Sequence, residues 1–481
     1  MLSGIVAYGA YVPLGRLPRC SIQNVTGEPA APGEKAVAGY DEDSLSMAVE
    51  AGWDCLAPLG QVSPGVVYFA TTTPPYLEKQ GAATLAGALD LPGTVRTADI
   101  TGSLRCGSNA LLAALDAVQG GVETALVAVG DCRLGAPQGA WEQVSGDGAA
   151  AFMLGGQNVL AEYLGGVSLA EDILSQWRTA NDQFVRTWEE RFFISKGYNR
   201  LVKKAVSSLL GRHALQPADV HRLVLYGPNP RYQMALARQL GFELDQVQDS
   251  LFATAGMAGC AGPLMMLVGA LEEARPGQLI LLVTFGEGCD ALLFRVTEAI
   301  ESFRPRRGLR GHLASRREIN YHTYLKWRQI IPQEPPRRPD PGRPSAPGMW
   351  RGGKQKLAFY GSRCQECGTP QFPPQRVCVH CQAVDKMVPY RFLDRPASIV
   401  TYTVDYLTFS QDPPAVFAVL DFEGGGRMIC ELTDCDPQKL SIGMQVEMTF
   451  RSYYRADGII NYYWKARPRR QEVQQNGRQG D

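Results

Sequence analysis

One pattern occurs twice in this chain, and that repeat constrains the fold more than any other feature of the sequence. Residues 97–132 read as a short strand ending near Asp99-Ile100, a small-residue turn, and a helix with apolar Leu111, Leu112 and Leu115. A Gly120-Gly121 stop follows, then a strand from Thr124 to Val129 that closes on Gly130-Asp131-Cys132. Residues 251–289 run the same course: small-residue turn, apolar helix to Ala274, Pro276-Gly277 stop, strand Leu279 to Thr284, Gly-rich end. Two such units imply an internally duplicated α/β chain, in which a site forms where loops of the two halves meet at strand ends. Cys106 falls in the first turn of the first helix, where unpaired N–H groups and partial positive charge usually lower a thiol pKa. It reads either as a nucleophile or acyl acceptor or as a small buried core residue.

With 481 residues, 45% of them hydrophobic, the chain exceeds one domain and predicts two or three. Its 48 basic and 48 acidic residues cancel, so nothing draws it globally to nucleic acid or to a membrane surface. No apolar run approaches membrane-spanning length, and Met1-Leu2-Ser3-Gly4 leads directly into a strand-like stretch, which predicts a soluble, cytoplasmic protein. Four of the twelve cysteines form CxxC pairs, a pattern that fits a reducing compartment and a metal site rather than a disulfide framework.

Composition changes after the strand Leu292 to Val296. Residues 304–317 read RPRRGLRGHLASRR, Tyr321 to Ile331 is helix-like, and seven prolines between Pro332 and Pro347 predict a semi-rigid linker. The arginines read as a solvated linker face in preference to a phosphate-binding site. Beyond the linker stand Cys364-Gln-Glu-Cys367, ten residues, and Cys378-Val-His-Cys381. Two such knuckles place four thiolates around one structural Zn with no open ligand position, iron in a rubredoxin-like site being the alternative. His380 reads as a bystander. Five short alternating strands between Ala397 and Trp464 then predict a small OB-type β-barrel. Its Tyr453, Tyr454, Tyr462 and Tyr463 offer stacking surfaces, but the zero net charge argues against nucleic acid as a partner.

The segments GEKAVAGYDEDSLSMAVEAG (33–52), Thr71 to Leu89, GDGAAAFMLG (146–155), RTWEERFFISKGY (186–198) and YGPNPRYQMALARQLGF (226–242) join the two repeat units. Together they resemble, in order, the hydroxymethylglutaryl-CoA synthase family, most closely its archaeal type. That family belongs to the thiolase superfamily, itself a duplicated α/β fold, and the resemblance covers about residues 1–300. SRCQECGTPQFPPQRVCVHC followed by PPAVFAVLDFEGGGRMICELTD resembles the acyl-CoA-associated zinc-ribbon/OB proteins that partner thiolase-superfamily enzymes. The resemblance implies a CoA thioester substrate, a homodimer, and a quartet of cysteine, histidine, asparagine and glutamate. Matching without gaps puts these at Leu104, Tyr226, Met257 and Thr72, all four changed. A leucine cannot hold an acyl group, so the covalent intermediate of a condensation is lost.

What remains is a CoA-shaped cleft whose Tyr226 can relay a proton if its pKa is lowered, with Tyr76 and Asp131 as further candidates. The implied reaction is an aldol or retro-aldol step on a β-hydroxyacyl-CoA, similar to that of steroid side-chain aldolases. A condensing acyltransferase using Cys106, a non-catalytic acyl-CoA-binding scaffold and a nucleic-acid-binding protein are the rivals. The expected organisation is a thiolase-like N-terminal half (1–165) and C-terminal half (166–300), then a basic helix and Pro-rich linker (301–355). A zinc ribbon (356–388), an OB-fold (389–466) and a disordered tail (467–481) complete it.

Overall fold

A computed structural model describes residues 3–339 and 342–470. Nine strands form the central sheet: β1 (Gly4–Tyr11), β2 (Val66–Ala70), β3 (Arg96–Ile100), β4 (Thr124–Asp131), β5 (Gly148–Gly155), β6 (Ala161–Ala170), β7 (Arg222–Leu225), β8 (Leu279–Gly286) and β9 (Gly288–Val296). Their order across the sheet is β7-β8-β9-β6-β1-β5-β4-β2-β3. Strands β3, β2 and β4 run parallel, as do β7 and β8, whereas β5 and β9 return antiparallel to β4 and β8. Aligned from its own first strand, the second half repeats the first with one strand fewer. A single parallel bridge, Leu223 to Val247, stands where the counterpart of β3 would lie. The duplication expected from the sequence is therefore present in the topology. The boundary placed at 165/166 falls inside β6.

Helix α1 (Ser44–Leu56) starts where Asp43 accepts from the Ser46 N–H and the Ser46 hydroxyl pairs back with the Asp43 N–H, a capping box that fixes its first turn. All thirteen of its residues are buried. It packs on β1, β4 and β5 and is covered on its other side by the C-terminal barrel, so it has no solvent face to give polar residues. Helices α2 (Cys106–Gln119) and α3 (Gly262–Glu273) are the helices of the two repeat units. They meet closely because Gly107 has no side chain: a Cβ there would sit 2.8 Å from the Cys260 carbonyl oxygen.

The C-terminal part is a ribbon followed by a closed barrel. Strands Tyr360–Cys364, Pro370–Gln371 and Met387–Arg391 form the ribbon sheet. The barrel consists of β10 (Ala397–Asp405), β11 (Ala415–Phe422), β12 (Arg427–Leu432), β13 (Gln445–Ala456) and β14 (Ile459–Pro468), closed in the order β10-β11-β12-β14-β13. Two expectations need correction here. The arginine cluster is not a solvated linker face: Arg306 and Arg307 pair with Glu447 at 3.0 and 2.9 Å and Arg317 pairs with Asp412 at 2.9 Å, so the segment straps the barrel to the α/β body. The tail does not begin at 467, because Arg467 and Arg470 are buried in that same seam. Residues 471–481, the rest of the expected tail, lie outside the described residues.

Candidate functional site

Loops from both halves converge at the end of β4. The Asp131 carboxylate, wholly buried, accepts from Thr72 Oγ1 at 2.7 Å, Thr73 Oγ1 at 2.6 Å and the Cys260 N–H at 3.0 Å. The threonines follow β2 and Cys260 lies in the turn that leads into α3, so one carboxylate ties together three loops from two halves. Gly259 makes this possible: its φ of +52° is left-handed, and a Cβ there would fall on Asp131 Oδ2 and lie 2.9 Å from Arg133 Cδ.

Beside this knot is a narrow cleft lined by Leu104, Arg133, Trp141, Tyr226, Met257 and Phe285, with Ser145, Ser175, Gln176, Phe193, Gly227, Pro228 and Gly259 completing its wall. Three of the four positions at which the sequence placed changed catalytic groups, Leu104, Tyr226 and Met257, thus share one cavity. The fourth, Thr72, is engaged with Asp131 behind it. Tyr226 follows β7 and its ring lies against the start of α3, where a Cβ on Gly262 would come within 2.5 Å of it. Burial pushes the Tyr226 hydroxyl well above the ordinary tyrosine range, with Arg133 pulling the other way and Asp131 and Cys260 adding to the rise. The lowering that a proton relay would draw on is absent, and burial favours the protonated phenol.

The other candidates stand elsewhere. Cys106 is the first residue of α2, as expected, but it is fully buried, lies outside the cleft wall and stands beside Cys260 across the seam between the halves. Burial, the neighbouring Cys106 thiol and Asp131 push the Cys260 thiol far up. Tyr76 is turned to the barrel, where its Oη accepts from the Ile460 N–H at 2.6 Å. Asp131 organises the loops from behind the cleft, and Asp147 spends one carboxylate oxygen on the Ala38 N–H at 2.7 Å. Sequence reasoning missed Arg133, Gln176 and Arg178. The position of Arg133, two residues past the strand-ending Asp131, was the one signal available for it.

The acidic run before α1 has a role that helix-dipole reasoning does not reach. Asp43 caps the helix, whereas Asp41 and Glu42 meet Arg451 Nη1 of β13 at 3.2 and 2.7 Å. Glu50 of α1 meets Arg467 Nη2 of β14 at 2.9 Å, and Arg467 Nε continues to Glu447 at 2.8 Å. The seam between body and barrel is therefore a buried ionic lattice.

In the ribbon, the sulfurs of Cys364, Cys367, Cys378 and Cys381 all lie within 4.8 Å of one another, with Sγ–Sγ separations of 3.6 Å (Cys364–Cys381) and 3.5 Å (Cys367–Cys378). Four thiolates at ~2.3 Å from one zinc stand about this far apart, so the donor set fits a structural zinc. His380 contributes its backbone N–H to Cys378 Sγ at 3.4 Å and remains a bystander among the ligands.

Comparison with known proteins follows the same division. Residues 351–387 match the rubredoxin-like zinc ribbon domain of ChsH2, residues 390–451 the C-terminal OB-fold domain of ChsH2, and residues 210–296 the C-terminal part of 3-oxoacyl-[acyl-carrier-protein] synthase III. The hydroxymethylglutaryl-CoA synthase of Aeropyrum pernix is 32% identical over 340 residues, 68% of this chain and 94% of that one. That of Methanopyrus kandleri is 31% identical over 343 residues, 68% of this chain and 97% of the relative. Among solved structures, an HMG-CoA synthase complexed with CoA superposes with a TM-score of 0.61 at 17% identity, over 68% of this chain and 90% of that one. The 3-oxoacyl-(acyl carrier protein) synthase III of Pseudomonas aeruginosa PAO1 superposes at 0.56 and 20%, over 62% and 98%. These structures share the fold.

Proposed function

The chain belongs to the hydroxymethylglutaryl-CoA synthase family, here fused to a zinc ribbon and an OB barrel, and from that premise we propose that it makes or breaks a carbon–carbon bond beside the thioester of an acyl-CoA by an aldol-type step. The supporting observation is the cleft wall. Leu104 stands with Tyr226 and Met257 where the resemblance expects cysteine, histidine and asparagine, and a leucine offers no atom to carry an acyl chain.

An aldol step needs none. In the cleavage direction the β-hydroxyl of a β-hydroxyacyl-CoA gives its proton to the Tyr226 oxygen. The bond between the α and β carbons breaks, its electron pair becomes the thioester enolate, and a proton added at carbon completes the shorter acyl-CoA while the carbonyl product leaves. In the addition direction the Tyr226 hydroxyl protonates the new alkoxide. The raised Tyr226 pKa suits the second role, since the phenol is the form present at neutral pH. Against an acyltransferase using Cys106 stands its complete burial away from the cleft. Leu104 and Met257 equally favour a second reading, a scaffold that binds acyl-CoA without turning it over. A homodimer in the cytoplasm is the expected assembly, in keeping with β3 at the sheet edge. Structural zinc is assigned to the four ribbon cysteines.

The test is to incubate the purified protein with a panel of β-hydroxyacyl-CoAs and to follow the acyl-CoA and carbonyl products by mass spectrometry. Turnover that falls at least a hundredfold in Tyr226→Phe is expected, about the size of a lost acid–base group. Turnover unchanged in that variant would sink the mechanism, and tight binding without turnover across the panel would establish the scaffold instead.

A further inference from the structure

Most of the cleft wall is apolar, which makes one of its side chains anomalous. Arg133 lines the cavity with Leu104, Tyr226 and Met257 and is 8% exposed. Its Nη1 donates to Gln176 Oε1 at 2.7 Å. Its Nε is buried and hydrogen-bonds to nothing, and among the described residues Nη2 has no protein acceptor. A guanidinium is permanently charged, and its Nε–Nη2 edge presents two parallel N–H bonds matched to the two oxygens of a carboxylate. That edge is unengaged.

Charge around Arg133 points the same way. The ionisable groups that act on it are Asp131, Tyr226, Arg178 and Cys260. Asp131 is the one carboxylate among them, and its oxygens already accept from Thr72, Thr73 and the Cys260 N–H. Arg178, whose Nη2 donates to the Thr72 carbonyl oxygen, brings a second positive charge. A second guanidinium thus stands near the first, and the one carboxylate among its strongest electrostatic neighbours is already engaged. A buried cation with unmet donors is costly, and a ligand that brings an anion to it removes that cost. A hydrocarbon acyl chain would seal the donors off unpaired.

We propose that Arg133 is an anion-recognition subsite that selects acyl thioesters carrying a second carboxylate at the far end of the acyl chain. This deepens the reading of the cleft as an acyl-CoA site and rests on it. Aldol chemistry is not required for it.

The experiment is isothermal calorimetry of the full-length protein with two near-isosteric thioesters, succinyl-CoA and 4-methylpentanoyl-CoA, in which an isopropyl group replaces the carboxylate. Wild type is expected to bind succinyl-CoA about tenfold more tightly or better. Arg133→Met should bring the affinity ratio to about one, and Arg133→Lys should retain part of it, since charge remains while the fork is lost. Equal affinities in the wild type, or a preference that survives Arg133→Met, overturn the proposal. Should Arg133→Met fail to fold, a wild-type ratio undiminished in Arg133→Lys overturns it equally. The outcome is separable from that of the aldolase: a protein that prefers succinyl-CoA yet cleaves no β-hydroxyacyl-CoA keeps the subsite and loses the reaction. Cleavage of neutral substrates with no carboxylate preference does the reverse, and failure to bind either thioester overturns the acyl-CoA cleft along with the subsite.

Discussion

At the residue scale, the protonation state of Tyr226 sets how the proposed aldol step would respond to pH. Its hydroxyl is held well above its ordinary value, chiefly by burial, so near neutrality only a small fraction is phenolate. Cleavage draws on that fraction, and its kcat should rise about tenfold per pH unit between pH 7 and 9, whereas addition uses the phenol and should stay flat over the same range. A pH–rate profile in both directions checks this, and a cleavage rate independent of pH would remove Tyr226 from the role of base. Cys106 gives the complementary prediction. Buried outside the cleft wall against Cys260, it should take up no acyl group, so intact-protein mass spectra after incubation with acetyl-CoA and longer acyl-CoAs should show no adduct in wild type or in Cys106→Ala. An acyl-sized gain lost in the variant would restore the acyltransferase and displace the aldol step.

At the scale of elements, the cleft exists because three loops can approach one carboxylate, and Gly259 is where the approach is tightest. Gly259→Ala would force a side chain into a left-handed backbone position and onto Asp131 Oδ2. The expected cost is about 2–4 kcal/mol, from strain combined with loss of a buried hydrogen-bond network. Urea unfolding measures it, and a variant as stable as wild type would mean that Asp131 does not organise the loops. The paired repeat units, the ribbon cysteines and the five barrel strands were all legible in the sequence, because each depends on local spacing of apolar, glycine or cysteine residues. Tyr76 and Arg133 were not. Whether a strand-end tyrosine faces a cleft or a neighbouring barrel depends on packing between segments almost 400 residues apart, as the bond from Ile460 to Tyr76 illustrates. Arg133 carried no periodic signal, and its meaning came only from the apolar residues that surround it in space.

At the scale of the whole molecule, the barrel is bound to the α/β body by apolar packing, with Trp53 of α1 edge-on to Trp464 of β14 at 5.9 Å, and also by buried charge, and the ionic part makes the joint sensitive to acid. Burial alone would raise the Glu447 carboxyl, but Arg467, Arg306 and Arg307 more than reverse this and hold it far below the usual carboxylate range. Asp434 is held down likewise, against the effect of burial, by Arg451, Arg470 and Arg467. Carboxyls whose folded pKa is depressed contribute stability that is complete above their unfolded values, near 4, and is lost as pH falls below them toward the folded values. The share of stability that rests on these two carboxyls should therefore hold steady from pH 7 to 5 and fall steeply between pH 4 and 2.5, read as the difference in thermal midpoint between wild type and a variant lacking one of them. Glu447→Gln tests the cause. At pH 7 it leaves the nearly inaccessible Arg307 guanidinium without its counter-ion and takes from Arg467 one carboxylate partner while Glu50 remains, at a cost of about 3 kcal/mol. At pH 3 the same substitution should cost less, because the carboxyl is then protonated in the unfolded chain and folding must first ionise it. A variant that is equally destabilised at both pH values would show that the side chain matters for its shape and not for its charge. The seam would then have to be understood as packing, with the barrel resting on α1 rather than held to Arg306 and Arg307 by the charge of its own Glu447.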